Sequence, residues 1–98
     1  MTNLSVVAKI VAKKDSVVSV RSELLKLIEP TRKEVGCIEY HLHQDNENPA
    51  VFIFHETWES LVCLENHMNT DHFKSFVKAT DSLVEEIAVH KMTRIEQG

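Results

Sequence analysis

Glu56, Trp58, His67 and His72 lie within one short span, FIFHETWESLVCLENHMNTDHF, from Phe52 to Phe73. Together these residue types can move a proton beside an aromatic ring. An imidazole with an unperturbed pKa of about 6.5 can accept a proton near neutral pH. A carboxylate can orient that imidazole or hold the proton afterwards, and an indole offers a flat apolar surface. Glu56 and Trp58 are two apart in a strand-like run and so share a strand face. His67 sits near the end of the helix-like segment that follows, where it can look onto that face if helix and strand pack together. His67 is therefore the candidate base, with Glu56 orienting it or holding the product proton. The competing reading is a helix-end histidine satisfied by solvent or a backbone carbonyl. His72 follows a cap at Thr70 or Asp71. It reaches the site only if the loop folds back over the sheet, and otherwise is a first-turn surface residue. Trp58 reads as a core side chain, a platform for a substrate ring, or both. Tyr40 joins the same face if its strand pairs it near Phe54, whereas a one-residue slip would send it to the other side. Phe54, Phe73 and Phe76 complete the candidate lining of a pocket or core.

A rival constellation is His41, His43 and His55. The first two share a strand face, and the third can join them from a neighbouring strand. Three imidazoles on a sheet could ligate zinc or copper. Glu39 and an expected dimer contact compete for the same face, so an interface or rim role is the preferred reading and no native metal site is expected.

The elements that must position these residues follow from periodicity. Leu4, Val6, Ala8, Ile10 and Ala12 alternate as in a strand, with Val7 and Val11 on the other face. Asp15 reads as an N-cap. Val17, Val20, Leu24, Leu27 and Ile28 recur at helical spacing. Pro30 predicts a kink, with the helix resuming as TRKEV and stopping at Gly36. CIEYHLHQ and AVFIFHETW flank the turn-forming DNENP and predict a hairpin. ESLVCLENHMN predicts a helix with Leu61, Leu64 and Met68 on one face. TDHFKSFVKATDSLVEE predicts short helical turns, and IAVHKMTRI a last strand. The order is strand, helix, strand, strand, helix, strand, an α+β ferredoxin-like split unit with an antiparallel sheet.

Both crossover helices then lie on one side of the sheet. Val51 and Ile53 nevertheless make the third strand apolar on its second face, and Val7 and Val11 add to it. A sheet face open to water would alternate cleanly. A homodimer joined through the helix-free face is the simplest expectation, because most soluble oligomers are two-fold pairs.

The 98 residues, with 43% hydrophobic content and a net charge of −4, are expected to form one domain over residues 1–98. Scattered Lys and Arg exclude the clustered basic face of a nucleic-acid binder. No apolar run is long enough for a membrane span. MTNLSVVAKI has no charged stretch ahead of an apolar one, so no signal peptide is expected. Cys37 and Cys63 lack a zinc or redox spacing and are expected as free thiols in a reducing cytoplasm.

The segments EPTRKEVGCIEYHLHQD, FHETWES and HMNTDHF resemble the antibiotic biosynthesis monooxygenase domain family, over nearly the whole chain. The resemblance implies a dimeric α/β barrel. The family includes cofactor-free oxygenases of quinols and anthrones, haem-degrading enzymes, and isomerases of small phosphorylated sugars or lactones. In the haem-degrading branch a Trp takes the place of His67, and the haem ligand falls at Val77, so haem is not expected. In the anthrone-oxidising branch the strand Trp matches Trp58, but the pocket Asn and Tyr fall at Phe54 and Leu64. The pair His67 and His72 is similar to the quinol monooxygenase-like and isomerase-like branches. The implied function is a cofactor-independent monooxygenase of a small aromatic or quinol-like substrate. The alternatives are an isomerase of a small carbonyl compound and a non-catalytic binding module. No haem, flavin or stoichiometric metal is expected, and no glycine-rich phosphate loop is present.

Overall fold

A computed structural model describes residues 3–95. The elements run β1 (Leu4–Ala12), α1 (Val17–Arg32), β2 (Cys37–Gln44), β3 (Val51–Trp58), α2 (Leu61–Met68), α3 (Asp71–Thr80) and β4 (Val84–Met92). The sheet order is β2-β3-β1-β4, and every pairing is antiparallel. This is the ferredoxin-like α+β arrangement, with all three helices packed on one face. No helix among the described residues is long and apolar enough to cross a membrane.

The period-two pattern of β1 places Val6, Ala8, Ile10 and Ala12 in the core, and that of β3 places Phe52, Phe54, Glu56 and Trp58 there. Val20, Leu24 and Leu27 of α1 close over them. The Val, Leu, Ile and Phe side chains among them each contribute roughly 1.5–3 kcal/mol when fully buried. On the opposite face Val7, Val11, Val51 and Ile53 are only partly covered.

Several local expectations are corrected. The cap of α1 is Ser16, not Asp15, and its side chain makes no capping bond. α1 runs through Pro30 and ends at Arg32, so TRKEV is not a resumed helix. Pro30 has no N–H to donate to the Lys26 carbonyl, so α1 carries that one missing bond near its end. Gly36 is not the helix stop, because Lys33 caps α1 three residues earlier; it is a left-handed residue (φ 84°) in the turn leading into β2. A Cβ at that position would collide with the Cys63 side chain. The second crossover holds two helices, because Ser60 and Thr70 each cap a new one by accepting a hydrogen bond from the backbone N–H three residues on. The α2 core face is Leu64 and His67, whereas Leu61 is exposed. β4 begins at Val84, three residues before its expected start.

Candidate functional site

Tyr40 pairs with Glu56 across the β2–β3 ladder, and Leu42 pairs with Phe54. That register turns Tyr40 toward the helices, where its ring stacks on Phe54 at 4.4 Å. The Arg32 guanidinium donates two hydrogen bonds to the Tyr40 carbonyl, at 3.0 and 2.9 Å. The end of α1 is thereby pinned to β2, and so is the turn that follows it.

That turn carries the residue that the sequence did not single out. Glu34 projects from between α1 and Gly36, and its Oε2 accepts from His67 Nδ1 at 2.8 Å and from His72 Nε2 at 2.7 Å. An ionised carboxylate oxygen can accept from both imidazoles at once. Glu34 read as part of a charged helical run, which hid it. Its place in a turn beside a glycine was the available signal, since functional side chains gather on such connections. The turn is held in place, because Glu34 N–H donates to the Thr31 carbonyl and Cys37 N–H to the Glu34 carbonyl.

His67 is 2% exposed. Its ring lies 4.9 Å from Trp58, 5.1 Å from Phe73 and 5.8 Å from Tyr40. Burial lowers its pKa, opposed by the hydrogen bond and charge of Glu34. The imidazole is thereby favoured in its neutral form. With Nδ1 given to Glu34, Nε2 is the ring nitrogen left for the cavity. Thr70 donates its hydroxyl proton to the His67 carbonyl at 2.7 Å and accepts from Phe73 N–H. The end of α2 and the start of α3 are thus one rigid corner. His72 occupies the first turn of α3, partly exposed as expected, yet its ring turns inward to Glu34.

Glu56 does not orient His67 as the sequence suggested; Glu34 does. Glu56 Oε1 instead accepts from the Trp58 indole N–H at 2.8 Å. Burial pushes the Glu56 carboxyl up to about 7, against the Trp58 hydrogen bond and with help from the Glu34 charge. Burial and the Glu56 charge also hold the Tyr40 hydroxyl protonated, well above its ordinary range. The Cys37 thiol rises to about 11 through burial and the Glu34 and Glu56 charges. Both cysteines are free and partly buried.

A cavity of about 140 Å³ opens beside these groups, between sheet and helices. Its walls are Val6, Ala8, Ile10, Leu27, Tyr40, Phe54, Glu56, Leu64, His67, Met68, Phe73, Phe76, Val77, Ile87 and Val89. Val77, Ile87 and Val89 are also exposed, which puts the mouth between α3 and β4. The volume is close to that of a ~150 Å³ apolar cavity known to hold one benzene ring. Trp58 is fully buried and not part of the wall, so it supports His67 from behind rather than stacking a ligand. Tyr40, Phe54, Phe73 and Phe76 all reach the cavity.

The rival histidines lie elsewhere. His41 faces His55 across the β2–β3 ladder, and His43 faces Ile53, all exposed on the helix-free side. Among the described residues, three metal-capable side chains converge only at Glu34, His67 and His72.

Residues 3–79 match the antibiotic biosynthesis monooxygenase family. An uncharacterized protein of Synechocystis is 34% identical over 70 residues, covering 71% of this chain and 48% of that protein. The chain thus spans about half the length of that relative. A crystal structure of a Pseudomonas aeruginosa protein superposes with a TM-score of 0.94 at 32% identity, covering 98% of this chain and 97% of that one. A conserved protein from Methanosarcina mazei Go1 gives 0.86 at 32% identity, over 94% and 92% of the two chains. A crystal structure described as an antibiotic biosynthesis monooxygenase gives 0.89 at 29% identity, over 95% and 99%. The match over most of the chain, together with these superpositions, shows that the protein belongs to the antibiotic biosynthesis monooxygenase family.

Proposed function

We propose that this protein is a cofactor-independent monooxygenase of a small, single-ring hydroxyarene or quinol. The observation that carries the reading is a buried, Glu34-bound imidazole, His67, set in the wall of a largely apolar, ring-sized cavity. Family membership supports it. The substrate ring lies among Phe54, Phe73, Phe76 and Tyr40, and its hydroxyl faces His67 Nε2. His67 takes the hydroxyl proton, and Glu34 stabilises the imidazolium that forms. The electron-rich anion gives one electron to dioxygen, and the radical pair joins through a new bond between ring carbon and oxygen. The imidazolium returns its proton to the peroxide. His67 then removes the hydrogen of that carbon as a proton while the O–O bond breaks. The carbon keeps one oxygen as a carbonyl, and the leaving hydroxide takes the proton back and departs as water. A hydroxyarene and dioxygen thus become a quinone and water, with every electron supplied by the substrate. In this proposal Glu56, a cavity-wall carboxyl that burial pushes up to about 7, holds a proton during these transfers.

The working assembly in this proposal is a homodimer through the helix-free sheet face, and the site of action is the cytoplasm. A panel of hydroxyarenes and quinols, offered to chelator-treated protein with and without dioxygen, tests the activity. The proposal expects product only with dioxygen, one oxygen atom incorporated, and dioxygen consumed in equal amount. Product formed anaerobically would identify an isomerase instead. Binding without product in either atmosphere would identify a binding module.

A further inference from the structure

We infer that Glu34, His67 and His72 form a binding site for a divalent transition metal ion, with zinc the fitting probe. The inference goes beyond the proposed oxygenase and does not depend on it. The donor atoms are Glu34 Oε2, His67 Nδ1 and His72 Nε2, all within 4.8 Å of one another. Two imidazoles and one carboxylate suit zinc and its first-row neighbours rather than magnesium or calcium. A tetrahedral ion with bonds of ~2.0–2.1 Å needs its ligands roughly 3.3 Å apart. The two contacts to Glu34 are 2.8 and 2.7 Å, so each must open by about half an ångström. The two ring nitrogens, which lie within 4.8 Å of each other, must close by up to about 1.5 Å through small ring rotations for an ion to replace the protons.

The trio is also held ready. Each donor comes from a different segment, and each segment is tied down: the Glu34 turn by its own backbone hydrogen bonds, the end of α2 and the start of α3 by Thr70. Preorganised donors lose little freedom on binding. His67 and Glu34 are nearly enclosed, while His72 has 27% of its side chain exposed and gives an ion a way in from solvent. The fourth position is left to water on that side.

The proton bookkeeping gives a consequence. A neutral His67 now carries its proton on Nδ1 toward Glu34. An ion on Nδ1 moves that proton to Nε2, and His72 likewise moves its proton from Nε2 to Nδ1. No proton need leave the protein, but Nε2 of His67 becomes a donor and can no longer accept from a substrate. On the proposed mechanism, metal loading therefore blocks turnover.

The test is calorimetric titration of the chelator-treated, full-length protein with zinc chloride at neutral pH, which needs no substrate. The inference expects one zinc per chain. It expects affinity to fall ~10-fold or more, at least what loss of an outer partner costs a metal site, in both Glu34→Gln and His72→Ala. His72→Ala alters a partly exposed residue, and circular dichroism checks that both variants remain folded. The double variant His41→Ala, His55→Ala is expected to bind zinc as the parent does. No zinc binding by the parent overturns the inference. So does binding that survives Glu34→Gln and disappears in the His41, His55 variant. A failure here leaves the base assignment standing, and failure of oxygen uptake leaves the metal site standing.

Discussion

Burial acts on Glu56 and His67 in opposite senses, because in each case it disfavours the charged form. For His67 that form is the imidazolium, and the side chain stays a base at neutral pH. For Glu56 it is the carboxylate, and the carboxyl rises to about 7. The sign follows for stability. A group whose folded pKa lies above its unfolded value of 4.5 binds more protons in the folded state. Its contribution is full below about 4.5 and is lost as pH rises through about 7. His67, shifted down, gives an opposite slope as pH falls below 6.5, so parent stability alone conflates the two. The difference between parent and Glu56→Gln isolates the carboxyl. We expect the parent's advantage to shrink by roughly 3 kcal/mol between the lower and upper ends of that window. Urea unfolding at a series of pH values measures it, and a difference that stays flat would show that Glu56 is not a shifted acid.

At the scale of elements, the site depends on two corners. One is the Thr70 junction between α2 and α3, and the other is the turn through Glu34 and Gly36 into β2. Gly36 is left-handed, with no room for a Cβ against Cys63. Gly36→Ala should therefore cost more than the ~1–2 kcal/mol of the backbone strain alone. Adding Cys63→Ala should return part of the loss by removing the sulfur while leaving the strain. Thermal unfolding of the single and double variants checks this, and equal stability of Gly36→Ala and parent would contradict it. The same corners explain what could be read in advance. The strands were legible because Val6 to Ala12 and Phe52 to Trp58 alternate and bury one face. The Glu34 contact was not, because it joins residues 33 and 38 positions apart through a turn that no periodicity describes. Trp58 and Glu56 were placed on the right face, but Glu56 bonds the Trp58 indole rather than His67, and Trp58 stands behind His67 rather than in the cavity wall. Pattern fixes a side chain's face, whereas its partner depends on how the helices dock.

For the molecule as a whole, the helices cover one sheet face and leave Val7, Val11, Val51 and Ile53 only half-covered on the other. Ile53 lies on that face between Lys9 and His43 in the strand pairings. In a dimer joined there, Ile53→Asp buries a charge without a partner and should shift the protein to monomer at micromolar concentration. Sedimentation velocity on parent and variant tests it, and a parent that is itself monomeric at that concentration would refute the proposed assembly. The cavity lies on the helix side, so in such a dimer each protomer would carry its own pocket. The most direct test of the whole proposal is the rate of dioxygen uptake on an accepted hydroxyarene. It should be measured on chelator-treated parent, His67→Ala and His67→Gln, the last keeping a polar group near Glu34 should the smaller side chain perturb packing. A fall of ~10²–10⁴ in both folded variants is predicted, the usual worth of a positioned base. Uptake at the parental rate in either one would contradict the assignment of His67 as the base.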